Sequence, residues 1–173
     1  MRLETFDTFL ARDEFSGIYD TVFNQNFPWS FCPGDKINNE STNDLSMFTH
    51  ILISDSTFVY KGAERLISPI MYKLKEIKKC ELQCIRAKLN LFTKSPTDQR
   101  YGWHVDIEDD GIQYETIIFY LNTNNGGTEF SDGSIIRSAK NRALIVEGRV
   151  NHQSVGQTDT AARVLFNINY IKV

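Results

Sequence analysis

The residues that could do chemistry in this 173-residue chain are few. Gly102-Trp103-His104-Val105-Asp106 is the first group. On a strand, residues two apart share a face, so the His104 imidazole and the Asp106 carboxylate can reach one ion. That donor pair suits ferrous iron, manganese or zinc. By itself the pair is equally compatible with a surface salt bridge or with a histidine packed beside Trp103. His152 lies 46 residues further on, from 106 to 152, after a strand candidate and the turn Gly148-Arg149-Val150-Asn151. That interval holds three or four strands and a return to the first. Two histidines and one carboxylate would then form a facial triad, which leaves three adjacent metal positions open. A lone histidine after a turn is otherwise just a turn residue. Arg163 opens the last strand candidate, whose alternation places Arg163, Leu165, Asn167 and Asn169 on one face. Arginines are seldom buried without a partner. A fixed guanidinium there suits bidentate capture of a carboxylate, and an ordinary edge-strand arginine is the competing reading.

The elements that must position these residues divide the chain unevenly. Residues 1–79 have mostly helical patterning. Phe9, Phe15, Ile18, Tyr19, Val22 and Phe23 fall near helical spacing, with Asp13 and Glu14 near the start. The helix should end before Phe27-Pro28-Trp29. Residues 32–45 are polar, with Pro-Gly and Asn-Asn, and read as an exposed loop. Met47–Ile53 reads as a strand and Gly62–Lys75 as a second helix, in which Pro69 fits only near the first turn or at a kink. Residues 80–173 read as short strands and turns. Ile85, Ala87, Leu89 and Leu91 alternate with Arg86, Lys88 and Asn90, as in a half-buried strand. Thr116–Leu121, Thr128–Phe130, Arg142–Glu147 and Arg163–Ile171 are further strands. Asn122–Gly127 and Asp132-Gly133 mark turns. The expected fold is therefore mainly β with supporting helices (α+β), an antiparallel sandwich or barrel such as a jelly roll. The expected organisation is one domain spanning 1–173, with a supporting region 1–79 and a β core 80–173.

Composition removes several other classes. Three cysteines, Cys32, Cys80 and Cys84, form neither a disulfide framework nor a CxxC pair. A net charge of −3 with scattered charges argues against nucleic acid as the main partner. There is no run of 18 apolar residues and no signal-like amino terminus, so a cytoplasmic protein without a membrane span is expected.

Taken in order, His104-x-Asp106, His152 and Arg163 resemble the Fe(II)/2-oxoglutarate-dependent dioxygenases, with the closest likeness to the prolyl-hydroxylase-like branch. Phe119-Tyr120-Leu121-Asn122 is similar to that branch's Tyr-Leu-Asn strand, and Gly126-Gly127-Thr128-Glu129-Phe130 to the Gly-Gly segment that follows it. Asn141–Val146 is similar to the strand before the distal histidine. The resemblance covers about residues 80–173. It implies a double-stranded β-helix core with helices packed on one sheet.

The resemblance also implies roles. His104, Asp106 and His152 match the iron ligands, and Arg163 the residue that binds the distal carboxylate of 2-oxoglutarate. Tyr120 matches a tyrosine assisting at that carboxylate. Asn90 and Asn167 fall at positions near the cosubstrate but depart from the commoner residues, and Asn169 replaces an aromatic residue of some relatives. The implied cosubstrates are 2-oxoglutarate and O2, with ascorbate as a candidate reductant. The implied activity is oxidative decarboxylation to succinate coupled to hydroxylation. A peptidyl proline or other protein side chain leads as substrate, with a small molecule or nucleobase as the alternative, and a non-catalytic cupin-like metal protein as the reading outside enzymology. His50 reads as a structural or surface histidine, Cys80 and Cys84 as ordinary thiols, and Glu108–Gly111 as a solvated turn or part of a substrate-closing loop. Tyr101 and Trp103 fit either the mouth of a site or the core.

Overall fold

The segment Glu115–Tyr120 is apolar on both faces because both faces are covered. Ile117 and Phe119 point to one buried cluster, which includes residues of both helices; Ile118 and Tyr120 point to another. The computed structural model describes residues 2–33, 45–109 and 111–173. In chain order its elements are β1 (Leu3–Phe6), α1 (Arg12–Val22), β2 (Ser30–Cys32), β3 (Met47–Ser54), β4 (Thr57–Phe58), α2 (Ala63–Lys78), β5 (Leu82–Thr93), β6 (Glu115–Tyr120), β7 (Gly127–Phe130), β8 (Ile135–Arg137), β9 (Arg142–Glu147), β10 (His152–Val155) and β11 (Ala162–Lys172). The large sheet runs β1-β9-β6-β11-β5-β3-β2, with β4 added on β3; the small sheet runs β10-β7-β8. All pairings are antiparallel.

One face of the large sheet carries the helices. Ile18 and Val22 of α1 and Leu66, Ile70 and Leu74 of α2 pack with Leu89, Phe119, Phe166 and Ile168. The Glu14 side chain accepts the Ala11 amide at 3.2 Å, closing the start of α1 as its acidic first turn predicts. The other face meets the small sheet through Phe92, Tyr101, Tyr120, Phe130 and Leu165. No helix among the described residues is long and apolar enough to cross a membrane.

Three expectations change. The first 79 residues are less helical than their periodicity predicts: helices of 11 and 16 residues share this stretch with four strands. Strands of two to four residues, such as β1, β2 and β4, are too short for alternation to show. Pro69 lies inside α2, past the first turn, and forgoes the bond an amide there would make to the Arg65 carbonyl. Finally, His104 sits not on a regular strand but at an isolated bridge to His152, tied by two amide–carbonyl bonds of 3.0 Å. Most of the polar loop 32–45 lies outside the described residues, as does residue 110 of the turn 108–111.

Candidate active site

His104 and His152 are held side by side by that bridge, with ring centroids 4.6 Å apart and the ring planes tilted by 49°. Asp106 joins them, and one ligand atom from each of the three lies within 4.8 Å of the others. Each imidazole has Nδ1 against a backbone carbonyl, Gly102 at 3.1 Å and Val150 at 2.9 Å. A carbonyl can only accept, so Nδ1 carries the proton and Nε2 keeps the lone pair that binds metals. Burial, helped by the neighbouring His152, pushes the His104 pKa down to about 4, so its imidazole is neutral at pH 7. Burial alone would raise the Asp106 pKa, but His152, His104, Lys88 and Arg86 outweigh it and hold the carboxyl at about 2. The cluster thus presents two imidazole nitrogens and one carboxylate, a set that fits a divalent first-row metal.

Asp106 is fixed by three donors from neighbouring strands. Asn167 Nδ2 donates to Oδ1 at 2.8 Å; Asn169 Nδ2 and Thr116 Oγ1 donate to Oδ2 at 3.0 and 2.9 Å. Asn169 and Thr116 are cross-strand partners in the β11–β6 register, so their side chains arrive together. Arg86, opposite Asn169 in the β11–β5 register, donates to its Oδ1 at 3.2 Å and orients the amide.

Arg163 is fully buried. Its Nε donates to Ser138 Oγ and its Nη2 to the Gly127 carbonyl, both at 2.8 Å. Its guanidinium lies 4.9 Å from the Phe92 ring and 5.7 Å from the Tyr120 ring. Nη1 has no partner, and no carboxylate among the described residues pairs with this cation. Gly126 explains part of the Gly-Gly segment: a Cβ there would lie 2.9 Å from Arg163 Cδ and 2.8 Å from the Val155 carbonyl oxygen. Tyr120 is buried beside Arg163 and bonds Thr128 Oγ1 at 2.8 Å.

A pocket has His104, His152, Phe92, Tyr101, Thr128 and Asn90 among its walls, while Arg163, Tyr120 and Asp106 stand behind that lining. Asn90 lines it with Oδ1 unpartnered, but the β5 residue opposite Arg163 is Phe92, two positions on. Asn167 also lines it, yet its amide is committed to Asp106 rather than to Arg163. Tyr101 is buried against Phe92, with ring centroids 4.7 Å apart, while Trp103 is partly exposed. His50 lies apart, packed between Phe27 and Tyr60.

The sequence reading missed Lys88, which lines the pocket as well. Burial, with the nearby Arg86 charge, pushes its pKa down to about 8. Its signal was the alternation of Arg86, Lys88 and Asn90 opposite the apolar face of β5. That polar face is only partly open to solvent, with Asn90 buried, Lys88 half-buried and Arg86 34% exposed, where a half-buried strand implies an open face. It looks into the space between the sheets.

No protein-family model matches the sequence, and no curated protein matches it. Solved structures do. An oxidoreductase of the 2OG-Fe(II) oxygenase family from Burkholderia pseudomallei superposes with a TM-score of 0.74 at 10% identity, over 97% of this chain and 84% of that one. A prolyl hydroxylase from Trichoplax adhaerens, in complex with a hypoxia inducible factor oxygen degradation domain peptide fragment, gives 0.69 at 13% identity, over 98% and 83%. The epimerase SnoN, in complex with Fe3+, alpha ketoglutarate and nogalamycin RO, gives 0.65 at 10% identity, over 98% and 78%. The chain has the fold of the 2OG-Fe(II) oxygenases.

Proposed function

We propose that the protein is an Fe(II)- and 2-oxoglutarate-dependent dioxygenase built on a double-stranded β-helix core, acting as a hydroxylase. The observation that carries this reading is Arg163, a fully buried cation with one free donor nitrogen and no counter-charge among the described residues. A buried charge is costly unless a partner compensates it. A dianionic cosubstrate supplies that partner, and a protein that merely held a metal would have no use for one.

In this reading His104, Asp106 and His152 hold Fe(II) and leave adjacent positions open. Arg163 takes the far carboxylate of 2-oxoglutarate, with Ser138 and Gly127 fixing its fork. Tyr120, packed beside the guanidinium, and Tyr101 and Phe92 close that end against water. Asn167, Asn169 and Thr116 keep the Asp106 carboxylate in one orientation. When bound, Fe(II) with 2-oxoglutarate supplies the redox chemistry, by which a substrate C–H, O2 and 2-oxoglutarate become C–OH, succinate and CO2. For the substrate, the sequence resemblance favours a protein side chain such as a peptidyl proline, whereas Lys88 favours a small acid.

The test loads the protein anaerobically with Fe(II) and 2-oxoglutarate, admits oxygen and measures succinate. Slow uncoupled succinate release is expected from the wild type and none from Asp106→Ala. A wild type that binds neither iron nor 2-oxoglutarate at millimolar concentration ends the enzyme reading.

A further inference from the structure

Once the site is loaded as proposed, its charges balance without Lys88. Fe(II) and Arg163 bring three positive charges; Asp106 and the 2-oxoglutarate dianion bring three negative ones. The two imidazoles are neutral ligands with Nδ1 protonated against carbonyls. Arg86, at the rim with its side chain 34% exposed and Nη1 3.9 Å from Asp106 Oδ1, adds a further positive charge that solvent partly screens. Lys88 instead lines the pocket from the inner face of β5; it feels the charge of Asp106, but no hydrogen bond or salt bridge joins its ammonium to a described residue. The Asp106 oxygens are already taken by Asn167, Asn169 and Thr116.

Geometry separates this cation from the proposed cosubstrate clamp. In the β11–β5 register Arg163 faces Phe92 and Asn167 faces Lys88. Four residues separate these positions along β5, roughly 13 Å at strand rise. The two cations thus leave the backbone at separate positions, and the 2-oxoglutarate titration of the Lys88 variants tests whether they share a ligand. Beside Lys88 stand two buried side-chain oxygens without partners, Asn90 Oδ1 and Asn167 Oδ1. The orientation of Asn167 is set by chemistry, since only its nitrogen can donate to Asp106, so its oxygen is the end left over. The wall thus offers one cation and two acceptors. It matches a ligand with one negative charge and a neighbouring hydrogen-bond donor; a phosphate dianion would meet the amide oxygens with like polarity.

We infer that the oxidised substrate of this site is a small carboxylic acid, with its carboxylate on Lys88 and an adjacent ammonium or hydroxyl on Asn167 Oδ1 and Asn90 Oδ1. The inference rests on the dioxygenase reading and deepens it. It makes Lys88 a specificity-determining residue, and it sets the substrate apart from a peptide-bonded residue, whose carboxylate has become an amide.

The experiment uses the full chain loaded with Fe(II) and 2-oxoglutarate, and two matched probes. One is a pool of free L-amino acids. The other is the corresponding pool of amino-acid amides, which keeps every side chain and removes the carboxylate. Oxygen-dependent succinate release is read for the wild type, Lys88→Met and Lys88→Arg, after a 2-oxoglutarate titration of each protein. The free acids should raise succinate release by the wild type at least fivefold, and the amides should not. Lys88→Met should lose that rise and keep its 2-oxoglutarate affinity within twofold; Lys88→Arg, which keeps the charge, should retain a response. Three results overturn the inference: an equal response to the amides, no response to the acids by a protein that binds 2-oxoglutarate, or a tenfold loss of 2-oxoglutarate affinity in Lys88→Met. The last would make Lys88 a cosubstrate ligand. Failure of the wild type to bind 2-oxoglutarate shows in the titration, before any acid is added, and counts against the dioxygenase reading instead.

Discussion

Replacing Arg163 by methionine separates a ligand clamp from a structural arginine, because the two roles give opposite results with and without 2-oxoglutarate. Without ligand, wild-type Arg163 is a buried charge with no counter-charge among the described residues and one idle donor. Exchanging buried ionic groups for apolar ones of similar volume is often neutral or stabilising, by about 1–4 kcal/mol. Against that, Ser138 Oγ and the Gly127 carbonyl each lose a donor, at about 1–3 kcal/mol apiece. These effects nearly offset. At about 2–4 °C per kcal/mol for a chain of this size, the ligand-free variant should melt within about 4 °C of the wild type. With Mn(II) as a non-oxidising metal and 2-oxoglutarate at 100 times its Kd, the wild type gains about 2.7 kcal/mol, or roughly 5–10 °C. Removing one partner of a buried charge pair costs about 3–5 kcal/mol, or roughly two to three and a half orders of magnitude in affinity. The variant should then shift by about 1 °C or less at the same concentration. Differential scanning fluorimetry reads all four states. A variant that shifts like the wild type refutes the clamp. A ligand-free variant that melts more than about 10 °C lower refutes the claim that Arg163 serves a ligand rather than the fold.

Other consequences follow from the same geometry. Asn169→Leu removes a donor to Asp106 and should raise the Mn(II) dissociation constant about 10- to 100-fold in an anaerobic titration, with the fold retained by circular dichroism. Gly126→Ala places a methyl 2.9 Å from Arg163 Cδ, and should cost about 1–3 kcal/mol of stability and weaken 2-oxoglutarate binding together. Glu115 is partly buried, which raises its pKa, but Lys78, Tyr170 and Lys172 outweigh this and hold it down to about 2, against an ordinary 4.5. A depressed carboxyl stabilises the fold above the ordinary value and loses that contribution as pH falls from about 4.5 towards 2. Glu115→Gln should therefore be about 1–2 kcal/mol less stable at pH 7, after allowance for screening, and should converge with the wild type near pH 2 in urea unfolding.

What could be read from the sequence, and what could not, follows from how far each signal reaches. Strands β6, β9 and β11 were legible because they run for 6, 6 and 11 residues, long enough to carry the pattern. Strands β1, β4 and β8 were not, since two to four residues contain no period. His104, Asp106, His152 and Arg163 were legible as an ordered set of scarce residue types, and the structure brings the first three together. Lys88 was hidden by a correct pattern read with the wrong environment: alternation marks which residues share a face of β5, but a second sheet, built from residues 127–155, decides that this face is interior. Asn167 was placed beside the cosubstrate because sequence order alone cannot tell which of two neighbours, Arg163 or Asp106, its amide will reach. The register of β11 against β6 and β5 settles that choice.

The central claim is most directly tested by a crystal structure of the protein with Mn(II) and 2-oxoglutarate. One ion is expected, bound by His104 Nε2, an Asp106 oxygen and His152 Nε2 at about 2.0–2.3 Å, with the far carboxylate of 2-oxoglutarate on the Arg163 guanidinium, Nη1 included. An ion bound elsewhere, or a 2-oxoglutarate whose carboxylate leaves Arg163 untouched, would contradict it.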